Sequence, residues 1–282
     1  MLKFQKLPGN GIGEMLHKRR SKSMTVFIDQ KSFKWRLKVK VTISVITATY
    51  NRKKFLRDCI ESVANSILSP RKEIAVEHIV FDGGSTDGTD EWIKSTYPSL
   101  KYFREERIHS PAEARNKAIR HAQGEYIFVL DSDDVILQRT LYHFYTHLER
   151  KAESWAYSDF LRVDKNLRYI LAQDYYGWEY RNPQAMLESM FAGQHFIQHN
   201  VMFAKELFFK VGGYDEELEV AEDLDLFIRF LLHGEMPLYL PIISHLHRKH
   251  ESNFSIGQGG AQHLKNLEHL KRKYKWDEKG SK

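Results

Sequence analysis

Three carboxylates stand within four positions at the end of an apolar run. The stretch YIFVLDSDDVI, residues 126–136, carries Asp131, Asp133 and Asp134 directly after its apolar residues. Like charges this close repel one another, and more strongly where water is scarce. Two carboxylates at positions i and i+2 of a strand end can both turn toward one divalent cation, and their oxygens suit Mg²⁺ or Mn²⁺. We therefore predict that Asp131 and Asp133 are functional, and that Asp134 caps or solvates the next helix.

A second acidic pair opens a predicted helix in the stretch EVAEDLDLFIRF. Glu222 and Asp223 follow the turn GGYDE and stand at the helix start. A carboxylate at this position commonly just complements the helix dipole. If the pair lies in the same cleft as the first cluster, one of the two could act as a general base.

A glycine-rich loop, DGGSTDGT, follows the second predicted strand. Its two adjacent glycines permit tight turning and close approach of the backbone, and Asp82 is placed to accept a hydrogen bond from a ligand N–H. The loop also fits an ordinary connection rich in turn residues. It is neither a GxxxxGK[ST] phosphate loop nor a GxGxxG dinucleotide motif.

Three histidines lie close together late in the chain, at His245, His247 and His250. An HxH pair on a strand places both rings on one face. Structural or hydrolytic zinc is disfavoured because the chain has one cysteine and no HExxH motif. One of the three is better placed as a further ligand to the metal at the acidic cluster.

Alternating strands and helices are predicted to position these side chains. Between residues 41 and 130 the pattern reads strand, helix, strand, helix, strand, helix, strand, which indicates a parallel sheet with helices on both faces. Ligands of such sheets bind at the carboxyl ends of the strands. The loops after Tyr50, Asp82 and Asp131 should therefore converge on one rim.

One of these helices is defined by its ends. Ser110 can cap it, Pro111 suits the first helical position, and Glu113 completes a capping box. Gly124 is the expected left-handed residue after its last turn.

The second half of the chain is less regular. We predict a helix over 141–148, a strand pair around Asp164–Asn166, then a strand and short helix before the glycine turn. A helix ending at Gly234, a strand leading into the histidines and a terminal helix over 261–275 complete the pattern.

Composition and charge indicate a folded, mildly basic protein. The 282 residues are 42% hydrophobic and 28% charged, with a net charge of +6. The single cysteine, Cys59, excludes an internal disulfide and fits a reducing compartment. No apolar run reaches the length of a membrane-spanning helix and no secretory signal is evident, which favours a cytoplasmic location. Basic residues at 17–40 and in the tail could favour an anionic membrane surface, or could merely aid solubility.

Taken together, these segments resemble the family-two glycosyltransferases of the GT-A fold. The similar stretches are VTISVITATYNR, HIVFDGGSTDGT, SPAEARNKAIRHAQGEYIFVLDSDD, VGGYDEELEVAEDLDLFIR and HRKHESNFS. They cover roughly residues 41–255, and as a set they are specific although each alone is not. The chain departs from the family's pattern at Ala48, where a proline often stands.

The resemblance implies a Rossmann-like, mostly parallel sheet with helices on both faces and C-terminal elements on the acceptor side. It implies inverting transfer, with Asp223 as the catalytic base and Glu222 beside it. Asp133, Asp131 and His250 would hold Mn²⁺ or Mg²⁺, with His247 as the alternative to His250. Residues implied to bind the donor nucleotide are Thr47, Ala48, Thr49, Tyr50, Asp82, Arg115, Asn116, Asp131 and Ser132.

The expected organisation has three parts: a basic appendage over 1–38, a glycosyltransferase domain over 39–255 and a basic C-terminal helix or tail over 256–282. Within the domain, 39–134 would bind the nucleotide sugar and 135–255 would supply the acceptor side and the base. The resemblance implies a nucleoside diphosphate sugar donor, most commonly a UDP-sugar, and a saccharide or lipid-linked saccharide acceptor. The expected setting is synthesis of cell-surface polysaccharide or glycoconjugates, on the inner face of the plasma membrane if the basic ends bind there.

Three alternatives were weighed against this interpretation. A sugar-nucleotide-forming nucleotidyltransferase would be expected to show a glycine-rich early loop, which TATYNRKKF lacks. A non-catalytic relative that only binds nucleotide sugars, or acts as a lectin-like or scaffold protein, would be expected to lose the acids that this chain retains. A nucleic-acid binder is disfavoured because no RRM, helix-turn-helix or zinc-finger signature accompanies the basic ends. The sequence leaves the sugar, the linkage and the oligomeric state open.

Overall fold

The computed structural model describes residues 42–276 with several gaps. The gaps are 67–73, 172, 174–175, 196, 198, 219, 252 and 254–258, and the side chains of 259–264 are likewise left out. The predicted appendage over 1–38 and the last six residues of the tail lie outside this part of the chain.

Four parallel strands form the first half of an eight-stranded sheet. They are β1 (Ile43–Thr49), β2 (Val76–Asp82), β3 (Lys101–Arg104) and β4 (Tyr126–Val129), connected by α1 (Lys53–Ala64), α2 (Thr89–Thr96) and α3 (Pro111–Arg120). Their order is β3-β2-β1-β4, so the chain reverses its direction of travel across the sheet at β1. The loops after β1 and β4 therefore border a crevice, where this class of sheet binds ligands.

The second half extends the sheet as β7-β6-β8-β5. Its elements are β5 (Val135–Ile136), α4 (Thr140–Lys151), β6 (Trp155–Asp164), α5 (Pro183–Phe191), β7 (Met202–Ala204), α6 (Lys205–Lys210), α7 (Glu222–Leu232), β8 (Leu238–Lys249) and α8 (Gly259–Tyr274). β7 runs antiparallel to β4 and β6, and β5 runs antiparallel to β8, while β6 and β8 are parallel. The expected mostly parallel α/β sheet is confirmed.

Alternating strand residues fill two cores, one on each face of the sheet. Ile127 and Val129 of β4 point into the core covered by α3, α5, α6, α7 and α8, while Phe128 points into the core under α1, α2 and α4. This alternation follows from the two-residue period of a strand. Helices cover both faces, as the sequence predicts.

Gly124 is required for a reason other than the one predicted. α3 ends at Arg120, its C-cap His121 is right-handed, and Gly124 is not among the described glycines with positive φ. A Cβ at Gly124 would lie 2.5 Å from the backbone nitrogen of Ser44. The residue is a glycine because the turn into β4 passes against β1 with no room for a side chain.

The predicted strand pair around Asp164–Asn166 is only half present. β6 forms, but beyond the turn the described residues show only the single bridge between Val163 and Tyr169. The Asp164 carboxylate accepts hydrogen bonds from the backbone N–H groups of Asn166 and Arg168, at 2.8 and 2.9 Å. This tight turn reverses the direction of the chain, and the described residues after it form no second strand.

The helix α5 was not predicted, although its start carries a recognisable signal. Asn182 caps it by accepting a hydrogen bond from the Ala185 N–H at 2.8 Å, and Pro183 occupies the first turn.

Within the described part of the chain, no helix has both the length and the apolar character needed to cross a bilayer.

Candidate functional site

The loops after β1 and β2 are joined by side-chain hydrogen bonds. The Asn51 N–H donates to Ser85 Oγ at 2.8 Å, and the Thr86 N–H donates back to Asn51 Oδ1 at 2.8 Å. Asn51 adopts the left-handed conformation with φ 53°, which Asn tolerates better than most residues. These bonds hold the two loops as one wall of the crevice.

Asp82 lies inside this wall and not on its surface. Its side chain is fully buried, and one carboxylate oxygen accepts from the Ser85 N–H and hydroxyl at 2.8 and 2.7 Å. The other oxygen accepts from the Tyr102 hydroxyl at 2.6 Å, and burial and this bond raise the pKa of Tyr102. In this arrangement Asp82 shapes the loop, and its contact with a nucleobase stays a prediction.

The β1 residues implied to bind the donor divide between the core and the crevice. Thr47 is fully buried and its hydroxyl lies 2.9 Å from His78 Nε2, so it supports the sheet from within. Ala48 packs partly buried against the core. Thr49 has a buried hydroxyl without a hydrogen-bond partner in the described chain, and Tyr50 is 59% exposed. Tyr50 is the member of this set open to a ligand.

Arg115 of α3 joins the two acidic clusters predicted from sequence. One of its guanidinium nitrogens lies 2.9 Å from Asp131 Oδ1, and another lies 2.5 Å from Glu222 Oε1. Arg115 and Glu222 are buried, and the Arg115 guanidinium also lies over the Tyr214 ring. A buried pair of this kind is costly to break, because the remaining charge stays desolvated. The start of α7 is thereby fixed beside the end of β4.

His199 completes the same cluster. Its Nε2 lies 3.1 Å from Glu222 Oε1, while its Nδ1 lies 3.4 Å from Asp223 Oδ2 and 3.8 Å from Asp131 Oδ2. Burial lowers its pKa, but the surrounding carboxylates outweigh burial and raise the pKa of His199 to about 9. The imidazole therefore contacts the carboxylates of Asp131, Glu222 and Asp223.

Glu222 and Asp223 are adjacent in sequence but have opposite electrostatic environments. Burial opposes ionisation of Glu222, yet the His199 hydrogen bond and the Arg115 charge outweigh it and lower its pKa to about 2. Burial raises the pKa of Asp223, and the charge of Glu222 adds to this against the effect of His199. Glu222 is held as an ion-pair partner, whereas Asp223 is the better proton acceptor.

Asp133 contacts residues at the start of α1 and just after β8. His250 Nε2 lies 2.9 Å from Asp133 Oδ2, with Arg52 Nε at 3.9 Å and Asn253 Nδ2 at 3.4 Å from the same oxygen. The His250 ring stacks on Phe55 of α1 with centroids 4.4 Å apart. The structure thus brings together the predicted pair of Asp133 and His250.

Asp134 has a structural role, as predicted, but it neither caps a helix nor is exposed to solvent. It is 1% exposed and accepts hydrogen bonds from the Arg248 N–H at 2.9 Å and from Asn200 Nδ2 at 2.8 Å. Burial, together with the charges of Asp133 and Asp131, raises its pKa well above the ordinary value. The residue ties β8 and the start of β7 to the end of β4.

His245 and His247, which lie in β8, are core residues. His245 stacks on Phe160, and its Nδ1 lies 2.8 Å from the Ser244 hydroxyl. His247 meets the same Phe160 ring edge-on, and its Nδ1 has no hydrogen-bond partner among the described residues. Burial lowers the pKa of His245 to about 3 and that of His247 to about 4. Of the histidine trio, His250 is the one in contact with Asp133.

Asn116 and Ser132, both implied to lie near the donor, are buried. The Asn116 amide donates to the Tyr214 carbonyl at 2.9 Å and to Glu216 at 2.7 Å, and its oxygen accepts from the Tyr214 N–H. Asn116 thus fixes the turn that leads into α7. Its contact with a donor stays a prediction.

Two sets of residues in the described chain have donor types that suit a divalent cation. Asp131, Asp133 and His250 offer carboxylate oxygens and an imidazole nitrogen, the donor types that Mn²⁺ and Mg²⁺ sites use, so these residues fit a metal by their chemistry. Asp133 contacts His250, whereas the Asp131 carboxylate contacts Arg115 and His199. In the second set, donor atoms of His199, Glu222 and Asp223 converge within 4.8 Å. At the second group Arg115 already supplies a buried positive charge 2.5 Å from Glu222, which opposes a cation.

His199 was not predicted from the sequence, and neither were Asn200, Arg52 and Asn253. His199 and Asn200 precede the apolar run of β7. Because β7 is antiparallel to β4, its start reaches the rim where the parallel strands end. A polar pair before a strand indicates site residues only when the direction of the strand in the sheet is known. The sequence pattern does not specify that direction.

Comparison with known proteins identifies the family. The sequence profile described as glycosyl transferase family 2 matches residues 44–212, which is more than half of the chain. An uncharacterized glycosyltransferase of Methanocaldococcus jannaschii is 29% identical over 199 residues, covering 67% of this chain and 64% of that protein. The chain therefore spans slightly less than two thirds of this relative.

Solved structures share the fold. TarS 1-349 of S. aureus in complex with UDP-GlcNAc has a TM-score of 0.64 at 18% identity, covering 82% of this chain and 65% of that chain. The mannosyltransferase PcManGT of Pyrobaculum calidifontis, in complex with GDP-Man and Mn²⁺, has a TM-score of 0.55 at 19% identity, covering 83% and 62%. The order of the strands and the acids at the strand ends agree with the family that the profile identifies. The chain is a member of glycosyl transferase family 2.

Proposed function

We propose that the protein is an inverting glycosyltransferase that moves a sugar from a nucleoside diphosphate sugar to a hydroxyl group of an acceptor. The observation that carries this proposal is that Arg115 and His199 join Asp131 to Glu222 and Asp223. Asp131 lies at the end of a sheet strand, and Glu222 and Asp223 open a helix of the second half. This arrangement offers a donor side and an acceptor side at one crevice.

The donor side consists of the loops after β1, β2 and β4. Asp131, Asp133 and His250 would hold Mn²⁺ or Mg²⁺, which supplies positive charge to the diphosphate as it leaves. Tyr50 is exposed at the mouth of the crevice, where a nucleobase could stack on its ring. PcManGT, which shares the fold, was solved with both a nucleotide sugar and Mn²⁺.

The acceptor side is the start of α7. Asp223 takes the proton of the acceptor hydroxyl, and that oxygen forms a bond to the anomeric carbon from the face opposite the leaving group. The bond between the anomeric carbon and the diphosphate oxygen breaks, and its electron pair leaves with the diphosphate. The raised pKa of Asp223 suits a base, whereas the Glu222 carboxylate is occupied by Arg115 and His199.

Arg115 and His199 position the acids before the donor arrives. Their contacts with Asp131, Glu222 and Asp223 fix the distance between the donor side and the base. Preorganised charges of this kind need no rearrangement as the reaction proceeds. Glu222 therefore acts in this proposal by holding Arg115 and His199 in place.

The finer assignments rest on the family. We propose a UDP-sugar donor, a hexosyl group as the transferred sugar and a saccharide or lipid-linked saccharide acceptor, in the synthesis of cell-surface polysaccharide or glycoconjugates. TarS was solved with UDP-GlcNAc, whereas PcManGT was solved with GDP-Man, so the nucleobase needs a direct test. We further propose that the protein is cytoplasmic and associates with the inner membrane surface.

A panel of nucleotide sugars tests the proposal. Thermal unfolding of the full chain is followed with UDP-, GDP- and dTDP-sugars, with Mn²⁺ or with EDTA. A donor that binds the native state raises the melting temperature by mass action. The stabilising donor is then incubated with and without a panel of saccharide acceptors, and nucleoside diphosphate release is measured. Absence of stabilisation by every nucleotide sugar in the presence of Mn²⁺ would contradict the proposal.

A further inference from the structure

The imidazole of His250 is nearly buried, although the residue lies in a loop. It directly follows Lys249, the last residue of β8, and its side chain is 3% exposed. Its Nε2 reaches the Asp133 carboxylate, which is 14% exposed. A loop side chain held in this way has lost rotamer freedom, and its contacts must offset that loss. Two residues from distant parts of the chain, Phe55 and Asn253, supply such contacts.

Phe55 packs against the face of the His250 ring. Phe55 lies in the first turn of α1 and is 6% exposed, and the two rings stack with centroids 4.4 Å apart and planes 23° apart. The guanidinium carbon of Arg248 lies 4.9 Å from the centroid of the same Phe55 ring. Residues two apart in an extended chain point to the same side, so one ring packs against both side chains. Because α1 begins directly after the loop that follows β1, Phe55 links His250 to the wall of the crevice.

Asn253 holds the backbone around the same two residues. Its Oδ1 accepts a hydrogen bond from the His250 N–H at 2.5 Å, and its Nδ2 donates to the Arg248 carbonyl at 3.0 Å. The Asn253 N–H donates to the His250 carbonyl at 3.2 Å. Its Nδ2 also lies 3.3 Å from His250 Nε2 and 3.4 Å from Asp133 Oδ2. Asn253 therefore closes the turn that brings the tip of the imidazole to Asp133.

The resulting orientation differs from that of a histidine that only fills the core. His245 also stacks on an aromatic ring, that of Phe160, but its Nδ1 lies against the Ser244 hydroxyl inside the core. His250 Nε2 instead faces Asp133, a partly exposed carboxylate after the end of β4. Phe55 and Asn253 thus aim a ring nitrogen at the crevice.

We propose that Phe55 and Asn253 are positioning residues that hold the His250 imidazole as a ligand for Mn²⁺ or Mg²⁺ beside Asp133. This inference rests on the metal-binding role that the proposed function gives to Asp133 and His250. Removing a group that orients a ligating imidazole typically lowers metal affinity by roughly 10–100-fold. Phe55 and Asn253 act through His250, so their removal should change metal affinity more than it changes the stability of the fold.

Titration of the full chain with Mn²⁺, followed by electron paramagnetic resonance of the free ion, tests this role. Phe55→Leu stays apolar but loses the ring, and Asn253→Ala loses the bonds that close the turn. Each variant should bind Mn²⁺ at least about 10-fold more weakly than wild type. Phe55→Tyr retains the ring and should bind Mn²⁺ as wild type does. The matched control is Ile60→Val, which trims another buried side chain of α1 and should lower stability in urea without weakening Mn²⁺ binding.

Electron spin echo modulation of the bound Mn²⁺ supplies a second readout, because it detects the nitrogen of a coordinated imidazole. Wild type should show this modulation and His250→Gln should lose it. Phe55→Leu, measured at saturating Mn²⁺, should show weaker modulation than wild type. If His199→Gln lost the modulation and His250→Gln kept it, the metal would lie at the His199 cluster and the proposal would be overturned.

The outcomes separate this inference from the proposed activity. Mn²⁺ binding by Phe55→Leu and Asn253→Ala with wild-type affinity would overturn the positioning role and leave the proposed activity standing. Absence of Mn²⁺ binding by wild type would overturn the positioning role together with the metal assignment. If these variants lose Mn²⁺ affinity but no nucleotide sugar stabilises wild type, the positioning role stands and the proposed activity fails.

Discussion

At the scale of residues, acids from both halves of the chain meet through residues of the opposite charge. Arg115 contacts Asp131 and Glu222, and His199 contacts these two and Asp223. The two acidic pairs are some ninety positions apart in sequence. Their types and local spacing were sufficient to predict them, because each pair stands at an element boundary. His199, which joins the two pairs together with Arg115, stands in no comparable local sequence pattern.

We expect Asp223→Asn to abolish transfer while leaving donor binding intact. The amide is isosteric with the carboxylate but cannot take the acceptor proton, and removing a general base costs about 10²–10⁴-fold in rate. The rate of transfer and the thermal shift with donor are measured on the same preparation. Glu91→Gln, which removes the charge of an exposed side chain on α2, is the control and should keep full activity. Turnover by Asp223→Asn at the wild-type rate would contradict the assignment of the base.

We expect His199 to act through position. His199→Ala should lower the rate of transfer about 100-fold, the order of loss that follows when a reacting group is displaced by about 1 Å. His199→Gln, which retains one hydrogen-bond donor toward Glu222 or Asp223, should recover part of that loss. Donor affinity should change little in either variant, because among the described residues of the proposed donor side His199 contacts Asp131 alone, at 3.8 Å. Equal rates for the Ala and Gln variants would argue against a positioning role.

At the scale of elements, hydrogen bonds between neighbouring loops and strands hold the crevice in shape. Glu77 of β2 accepts from the Ser44 hydroxyl of β1 and, at 2.6 Å, from the Gln123 N–H before β4, and it pairs with Lys101 of β3 at 2.5 Å. One nearly buried carboxylate therefore links the four parallel strands. The loops of the proposed donor side follow three of these strands.

We expect Glu77→Gln to destabilise the protein by about 2 kcal/mol at neutral pH, because hydrogen bonds to a charged group are lost. Burial opposes ionisation of Glu77, but Lys101, Ser44 and the Gln123 N–H outweigh it and lower its pKa. A carboxylate with a lowered folded-state pKa adds stability above the ordinary glutamate pKa of about 4.3, and this stability is lost as pH falls through the folded value. Urea unfolding across this range should show the difference between wild type and variant shrink in acid. A difference independent of pH would contradict the ion pair.

Most helices and strands are predictable from the sequence. Where a prediction of an element fails, the cause can be named. The strands of the first half and the cap of α3 by Ser110 follow from periodicity and end signals. The helix α5 was missed although Asn182 and Pro183 mark its start, because its nine residues show little amphipathic contrast with their surroundings. Gly124 was correctly singled out but for the wrong reason, since close approach to Ser44 is a tertiary contact. Strand direction in the second half, and hence the place of His199, depends on the whole sheet.

At the scale of the whole molecule, different parts of the fold have different proposed roles. The carboxyl ends of β1, β2 and β4 form the proposed donor side, and α7 begins with the proposed base. The two halves touch at the cluster around Arg115 and His199. A ligand that bridges Asp133 and the wall formed by Asn51 and Ser85 therefore stabilises contacts between elements that are distant in sequence.

We therefore expect a bound donor to stabilise the fold in a metal-dependent way. At a donor concentration of about 100 times the dissociation constant, binding to the native state alone adds about 2.7 kcal/mol, or roughly 5–11 °C in melting temperature for a domain of this size. With EDTA in place of Mn²⁺ the gain should shrink, and Asp133→Asn should remove the difference between the two conditions. Glu91→Gln again serves as control and should retain it. Because the measurement needs no acceptor, it separates the donor side from the base, and an Asp133→Asn variant with an undiminished Mn²⁺ effect would place the metal elsewhere.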